Sequence, residues 1–243
     1  MEPIVKMIKV NKHFGKIHVL RNLNLSVKKA EKISIVGSSG GGKSTLLRCL
    51  NKLEKVQSGE IWIEGQKITE NINDVLLRQK VGIVFQDYNL FPHLKLKDNI
   101  TLALRYVKKM SKKESEQLAY DVLKKVNLED KWDSYPLELS GGQKQRGAIA
   151  RVLAMDPSII LFDEITSALD PELINEVLDV LRKLSKTGKT MIIVTHEIGF
   201  AREISDRVLL FDEGRVIEEG LPEEIFNRPK TDRAKNFFSK ILK

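Results

Sequence analysis

The chain has 243 residues, 42% hydrophobic and 30% charged, enough for one large domain or a domain with a sizeable insertion. No apolar run approaches the roughly 20 residues that cross a bilayer, the start Met1-Glu2-Pro3-Ile4 lacks the parts of a signal peptide, and the single cysteine excludes an intrachain disulfide, so a cytoplasmic chain is expected. A net charge of +8 suits phosphate ligands or an anionic membrane face; the pairs Lys108-Lys109, Lys112-Lys113 and Lys124-Lys125 lack interleaved aromatics and read as solvated faces, not as a nucleic-acid surface.

Residues 4–10 and 17–27 predict two antiparallel strands, with a turn over His13-Phe14-Gly15-Lys16. Phe14 on that turn suits two roles, a stacking plate for a nucleobase or a staple between the strands. Lys32-Ile33-Ser34-Ile35-Val36 then reads as a short buried strand, and Thr45-Leu46-Leu47-Arg48-Cys49-Leu50 as a helix. Between them Gly37-Ser38-Ser39-Gly40-Gly41-Gly42-Lys43-Ser44 fits the spacing of a P-loop. Glycines let successive N–H groups wrap a bulky anion, and the helix start adds donors and partial positive charge. Lys43 supplies full charge for β- and γ-phosphates, and the Ser44 hydroxyl suits Mg²⁺. A glycine-rich turn with a solvated lysine is the alternative, against which the flanking strand and helix argue. Cys49 reads as a packed small hydrophobe.

Ser58-Gly59 followed by alternation through Ile68 predicts a hairpin, and Val81-Gly82-Ile83-Val84-Phe85 a buried strand ending at Gln86, whose amide would face a ligand crevice. Over 87–154 helical periodicity takes over. Ser111-x-x-Glu114 is a capping box opening a helix with Leu118, Val122 and Val126 on one face. After the break at Tyr135-Pro136 comes Leu139-Ser140-Gly141-Gly142-Gln143, a second capping box of Ser140 with Gln143. Two glycines in a first helical turn weaken the helix; they make sense if another molecule approaches the bare N–H groups. The segment reads as a second anion site built without a lysine.

Ser158-Ile159-Ile160-Leu161-Phe162 predicts a core strand ending in Asp163-Glu164. Adjacent carboxylates after so apolar a run call for a cation or a polarised water, with Asp163 placed for Mg²⁺ and Glu164 for the attacking water; a surface acidic pair is the alternative. Asp170-Pro171 starts a helix with Leu173, Val177, Leu181 and Leu184 buried, stopped at Gly188. The strand Met191-Ile192-Ile193-Val194, expected beside the Asp163 strand, ends at Thr195-His196, which favours a γ-phosphate contact for His196 over a structural role. Residues 208–217 predict a terminal hairpin, and the tail from Pro222 is helical.

In order and spacing the P-loop, Gln86, Leu139-Ser140-Gly141-Gly142-Gln143, Asp163-Glu164, Ser167-Ala168-Leu169-Asp170 and His196 resemble the nucleotide-binding subunits of ABC transporters over essentially the whole chain. The resemblance implies an α/β fold: a RecA-like P-loop NTPase core with an antiparallel β subdomain (1–86 and 155–243) and a helical insertion (87–154) carrying the signature, together one domain over 1–243. It implies ATP and Mg²⁺ as ligands, and a head-to-tail pair of copies in which Ser140, Gly142 and Gln143 of one meet the γ-phosphate held by the other's Lys43. It assigns Phe14 to the adenine, Gln86 to Mg²⁺ and the permease, and Asp170 to the dimer seam. Finer similarity, in Gln86-Asp87-Tyr88-Asn89-Leu90-Phe91-Pro92-His93 and His196-Glu197-Ile198-Gly199-Phe200-Ala201-Arg202, points to importers of polar amino acids. These work at the cytoplasmic face of the membrane with integral permease subunits and, indirectly, an external solute-binding protein.

Two positions depart from the family pattern. Ile165 stands where proline is usual, which would loosen the loop aiming Glu164 and is the one support for a module that grips ATP but hardly turns it over. Gly147 lies inside the signature helix, where glycine costs about 1 kcal/mol against alanine. An ABC cassette of another transporter, or one acting on nucleic acid, is the remaining alternative.

Overall fold

The computed structural model describes residues 2–70 and 72–241; Met1, part of the signal-peptide reading, and the last two residues of the 1–243 span lie outside them. The strands are β1 (Val5–Phe14), β2 (Ile17–Val27), β3 (Lys32–Val36), β4 (Ser58–Ile63), β5 (Gln66–Lys67), β6 (Val81–Val84), β7 (Ile159–Asp163), β8 (Thr190–Val194), β9 (Arg207–Asp212) and β10 (Arg215–Gly220). The helices are α1 (Lys43–Leu50), α2 (Asp74–Lys80), α3 (Leu96–Tyr106), α4 (Lys112–Lys125), α5 (Gly141–Ala154), α6 (Pro171–Ser185), α7 (Ile198–Ile204), α8 (Pro222–Asn227) and α9 (Asp232–Ile241). The chain divides into two compact units, Met1–Leu77 with Gly188–Lys243, and Arg78–Thr187. The helical stretch 87–154 falls within the second.

In the first unit β2, β1, β4 and β5 make an antiparallel sheet in that order. The β1–β2 loop is shorter than its sequence suggests. The strands pair as far as Phe14 opposite Ile17, and Gly15, with φ 57°, opens a two-residue turn. Phe14 therefore ends a strand and is not part of the turn itself. One face of this sheet is apolar, with Val5, Met7 and Val10 on β1 and Ile61 and Ile63 on β4 all buried. β3 runs parallel to both β8 and β9, and β10 returns antiparallel on β9. A second apolar cluster joins Val36, Val208 and Leu210 to Ile225, Phe226, Ala234 and Phe238 of the terminal helices.

Cys49 sits on the buried face of α1 with Leu46, Leu47 and Leu50, 1% exposed, and burial pushes its thiol pKa up to about 12. A thiol of that kind is a packing group. Titrated with an aromatic disulfide reagent at pH 8, the native chain is expected to react at no thiol over minutes, and at one after guanidinium is added.

In the second unit β6 and β7 pair in parallel, and β7 is buried at every residue. Both capping boxes form as read: Ser111 with Glu114 opens α4 and Ser140 with Gln143 opens α5. On α4 the buried stripe is Ser115, Ala119, Val122 and Leu123, with Leu118 only half-buried. Gly147 has a packing reason. A Cβ there would lie 2.8 Å from Cδ1 of Leu96, the first residue of α3, and 3.5 Å from Cδ1 of Leu90. Arg146, one residue earlier, is buried: Nη1 donates to the carbonyls of Val126 (2.8 Å) and Asn127 (2.9 Å) at the end of α4, and Nη2 to Glu176 of α6 (3.0 Å).

Candidate functional site

The P-loop spans the exit of β3 and the start of α1, and its glycines answer to space. A Cβ on Gly37 (φ 154°) would fall 1.9 Å from the Phe211 carbonyl oxygen, and one on Gly42 (φ 100°) 2.9 Å from that of Val19. Gly42 is also the N-cap of α1 and, lacking a side chain, makes no side-chain cap bond to the helix. Ser39 and Gly40 are exposed at the tip, and Ser44 and Thr45 are half-buried in the first turn. Lys43 is 4% exposed and folds back: its Nζ donates to the carbonyls of Gly37 (3.0 Å) and Ser38 (2.9 Å). The ammonium is thus held inside the loop by the backbone it would share with a phosphate.

The turn from β9 to β10 braces this loop from behind. Gly214 N–H donates to the Gly41 carbonyl (3.0 Å), and Ser38 Oγ donates to Asp212 Oδ1. Asp212 is 7% exposed, and burial alone would raise its pKa. The hydrogen bonds from Arg233 and Ser38, with the charge of Arg233, outweigh burial and hold it below the usual carboxylate range.

The other predicted residues lie in the second unit, apart from His196, which is exposed two residues past β8, and Phe14. Asp163 closes β7 at 5% exposure. Glu164 follows in the left-handed region, φ 49°, and its carbonyl accepts from both Ser167 N–H (3.1 Å) and Ser167 Oγ (2.7 Å). Ile165 is buried at 4% exposure. A turn and an apolar anchor thus tie this loop where the family's proline is absent. Asp170 occupies the N-cap of α6 with extended backbone, but its carboxylate makes no cap bond and the residue is exposed.

At the start of α5, Ser140 is exposed, its hydroxyl accepts from Gln143 N–H (3.2 Å), and its N–H donates to Gln143 Oε1 (2.9 Å). The amide oxygen of Gln143 therefore serves the helix. The glycines differ from their first reading. The Cβ direction of Gly142 is filled by Leu173 of α6 at 3.3 Å, and that of Gly141 by Leu169 and the Tyr88 hydroxyl at 3.1 Å each. Packing inside the chain, and not only approach by another molecule, requires small residues there. Neither glycine's N–H has an acceptor among the described residues.

Two residues escaped the sequence reading. Gln145, fully buried on α5, donates through Nε2 to the Phe85 carbonyl (3.1 Å), and Arg151 donates to the carbonyls of Tyr88 and Asn89, both in left-handed conformation. They fasten the segment around Gln86, itself exposed, to α5. α5 carries five polar side chains, Gln143, Lys144, Gln145, Arg146 and Arg151, so its composition alone does not single these two out. Phe14 is 43% exposed with the Lys12 ammonium 4.4 Å from its ring centroid, so it remains open to a further partner.

The residues fit the expected ligands by donor chemistry. The glycine cradle and lysine suit a polyphosphate. Ser44 carries a hydroxyl, Gln86 an amide oxygen and Asp163 a carboxylate, each an oxygen donor of the kind a hard cation such as Mg²⁺ takes. No helix among the described residues is long and apolar enough to cross a membrane.

A protein family described as "ABC transporter" matches residues 20–167. The glutamine transport ATP-binding protein GlnQ of Geobacillus stearothermophilus is 53% identical over 234 residues, covering 96% of this chain and 97% of that protein. The glutamate transport ATP-binding protein GluA of Corynebacterium glutamicum is 51% identical over 240 residues, covering 98% and 99%. Among solved structures, the ATP-binding cassette MJ0796, in a dimeric post-hydrolysis state bound to ADP and Pi, is similar with a TM-score of 0.81 at 39% identity, over 90% of this chain and 98% of that one.

Proposed function

Because the chain belongs to the ABC transporter family, we propose that it is the ATP-hydrolysing subunit of an importer of polar amino acids, acting as a head-to-tail dimer against integral permease subunits at the cytoplasmic membrane face. The observation that carries the reading is that the chain has two glycine-containing helix starts of opposite character. One is the P-loop, with its own ammonium. The other is the start of α5, with an exposed Ser140 and two glycine N–H groups that have no acceptor among the described residues, but no acidic or basic residue in its first turn before Lys144. A lone second end makes sense if it completes a site whose charge another copy supplies.

On this reading Lys43 leaves the Gly37 and Ser38 carbonyls for the β- and γ-phosphates, and the N–H groups of residues 38–45 line them. Phe14 stacks on the adenine. Ser44, Gln86 and Asp163 would hold Mg²⁺, which would neutralise charge on the phosphates. Glu164 orients the attacking water and takes its proton, and His196 holds the γ-phosphate oxygen. Ser140, Gly142 and Gln143 of the second copy close over that phosphate, with Asp170 at the seam. The helical part 87–154 carries this closing end and relays its motion to the permease through the segment around Gln86 and Phe91.

Substrate class rests on the relatives, which transport glutamine and glutamate by name. The test is to tag the chain in its own cells, purify it with the membrane proteins that accompany it, and reconstitute vesicles with the ATP site outward. ATP-dependent accumulation of radiolabelled glutamine, glutamate or arginine, supplied with the external receptor, is expected. Accumulation that ignores ATP, or movement only outward, would reject import.

A further inference from the structure

We propose that Arg233, on the C-terminal helix, is a positioning residue for nucleotide binding: through Asp212 it sets the second residue of the P-loop, Ser38, and cancels a carboxylate charge beside the phosphate cradle. The proposal rests on the reading of residues 37–44 as the cradle for ATP.

The link is continuous. Arg233 Nε and Nη2 both lie 2.7 Å from Asp212 Oδ2, so one carboxylate oxygen takes the guanidinium edge and leaves Oδ1 to receive the Ser38 hydroxyl. The same turn touches the loop at two further points, through the Phe211 carbonyl against Gly37 and through Gly214 N–H on the Gly41 carbonyl. Asp212 therefore cannot shift without disturbing a loop that must present its N–H groups together. Arg233 is in turn held by what lies around it. Thr231 donates from N–H and Oγ1 to Glu218 (2.8 Å each), Ala234 N–H caps on Thr231 Oγ1 (3.2 Å), and Ala234 and Phe238 are buried against Phe226 and Leu210. The helix start is fixed by β10 and the core, so the guanidinium has a fixed origin.

The plain alternative is a surface ion pair, since the Arg233 side chain is 59% exposed. Such pairs add little to stability. The difference lies in the carboxylate. Without Arg233, Asp212 is a buried negative charge with Ser38 as its remaining side-chain donor, next to a loop that must accept the negative charge of a triphosphate. A decorative pair predicts unchanged ATP affinity, and the positioning role does not.

The experiment is calorimetric titration of ATP into the purified full chain, with steady-state hydrolysis read as KM and kcat. Arg233→Ala is expected to raise the ATP Kd and KM about five- to tenfold, the low end for linked sites, with kcat changed less than about twofold. Arg233→Lys, which restores the charge, should recover most of the affinity. Asp212→Asn with Arg233→Ala should bind no worse than Asp212→Asn alone. If Arg233→Ala does not fold, Arg233→Gln, which keeps the stem, takes its place with the same expectation. Unchanged affinity in the folded variant, or Lys as impaired as Ala, overturns the proposal. Wild-type chain that fails to bind ATP would instead remove the reading beneath it.

Discussion

Replacing Glu164 by glutamine is expected to lock the chain as an ATP-bound dimer. Glutamine keeps the size and reach of the side chain, so the loop geometry set by φ 49° at this residue and by the two Ser167 bonds to its carbonyl survives. Basicity alone is lost. A positioned base contributes about 10²–10⁴-fold, and hydrolysis should fall by that factor. ATP affinity should hold, because on the proposed reading binding belongs to the P-loop and to the capping end of the second copy. The readout is light scattering with ATP: the apparent mass doubles for Glu164→Gln and stays doubled over the time in which wild type has hydrolysed its ATP and separated. A variant that remains monomeric in ATP would break the shared-site reading at its centre.

Lys43→Ala tests the same reading from the opposite side and should give the opposite phenotype. Its ammonium makes two charge-assisted bonds to backbone carbonyls, at 3.0 and 2.9 Å, which phosphate oxygens would replace. Removing it takes away the one full positive charge contributed by the P-loop itself. At about 1.5–3 kcal/mol for a hydrogen bond to a charged group, ATP should bind roughly 10- to 100-fold more weakly. The variant is expected to stay monomeric at ATP concentrations that dimerise Glu164→Gln. The thermal midpoint should also drop, because Gly37 and Ser38 lose a donor in a buried place. Retained affinity would mean that the loop's N–H groups hold the phosphates without their lysine.

What the sequence disclosed was what neighbours along the chain decide. The P-loop is eight contiguous residues, each capping box spans four, and both boxes close as read because donor and acceptor sit within one helical turn. The strand runs around 33–36 and 159–163 were legible for a similar reason: apart from Ser34 and the terminal Asp163 they are apolar, as strands buried along their length require. Most of the misses are long-range. Nothing near Ser38 announces Asp212, 174 positions away, and nothing near Gly142 announces Leu173. Glycine pairs look alike whether a ligand or a neighbouring helix takes the space, and only the fold says which atoms stand there. Asp170 has the right residue and backbone for a cap, yet its carboxylate makes no bond to the helix, which local pattern cannot foresee. Ile165 looked like a loss of stiffness because proline's fixed φ is visible in sequence, whereas burial of its replacement is not.

The clasp made by Arg146 has a mechanical meaning. Its guanidinium grips the last carbonyls of α4 and a carboxylate of α6 while belonging to α5. Arg146 therefore ties α5, six residues beyond Ser140, to the end of α4 and to α6, and we expect the three to move together. Any travel of that serine toward a nucleotide must swing the tip of α4, at residues 126–127, along the same arc. A probe attached to α4, far from any phosphate, would then serve as the dial on which the stroke of the serine is read.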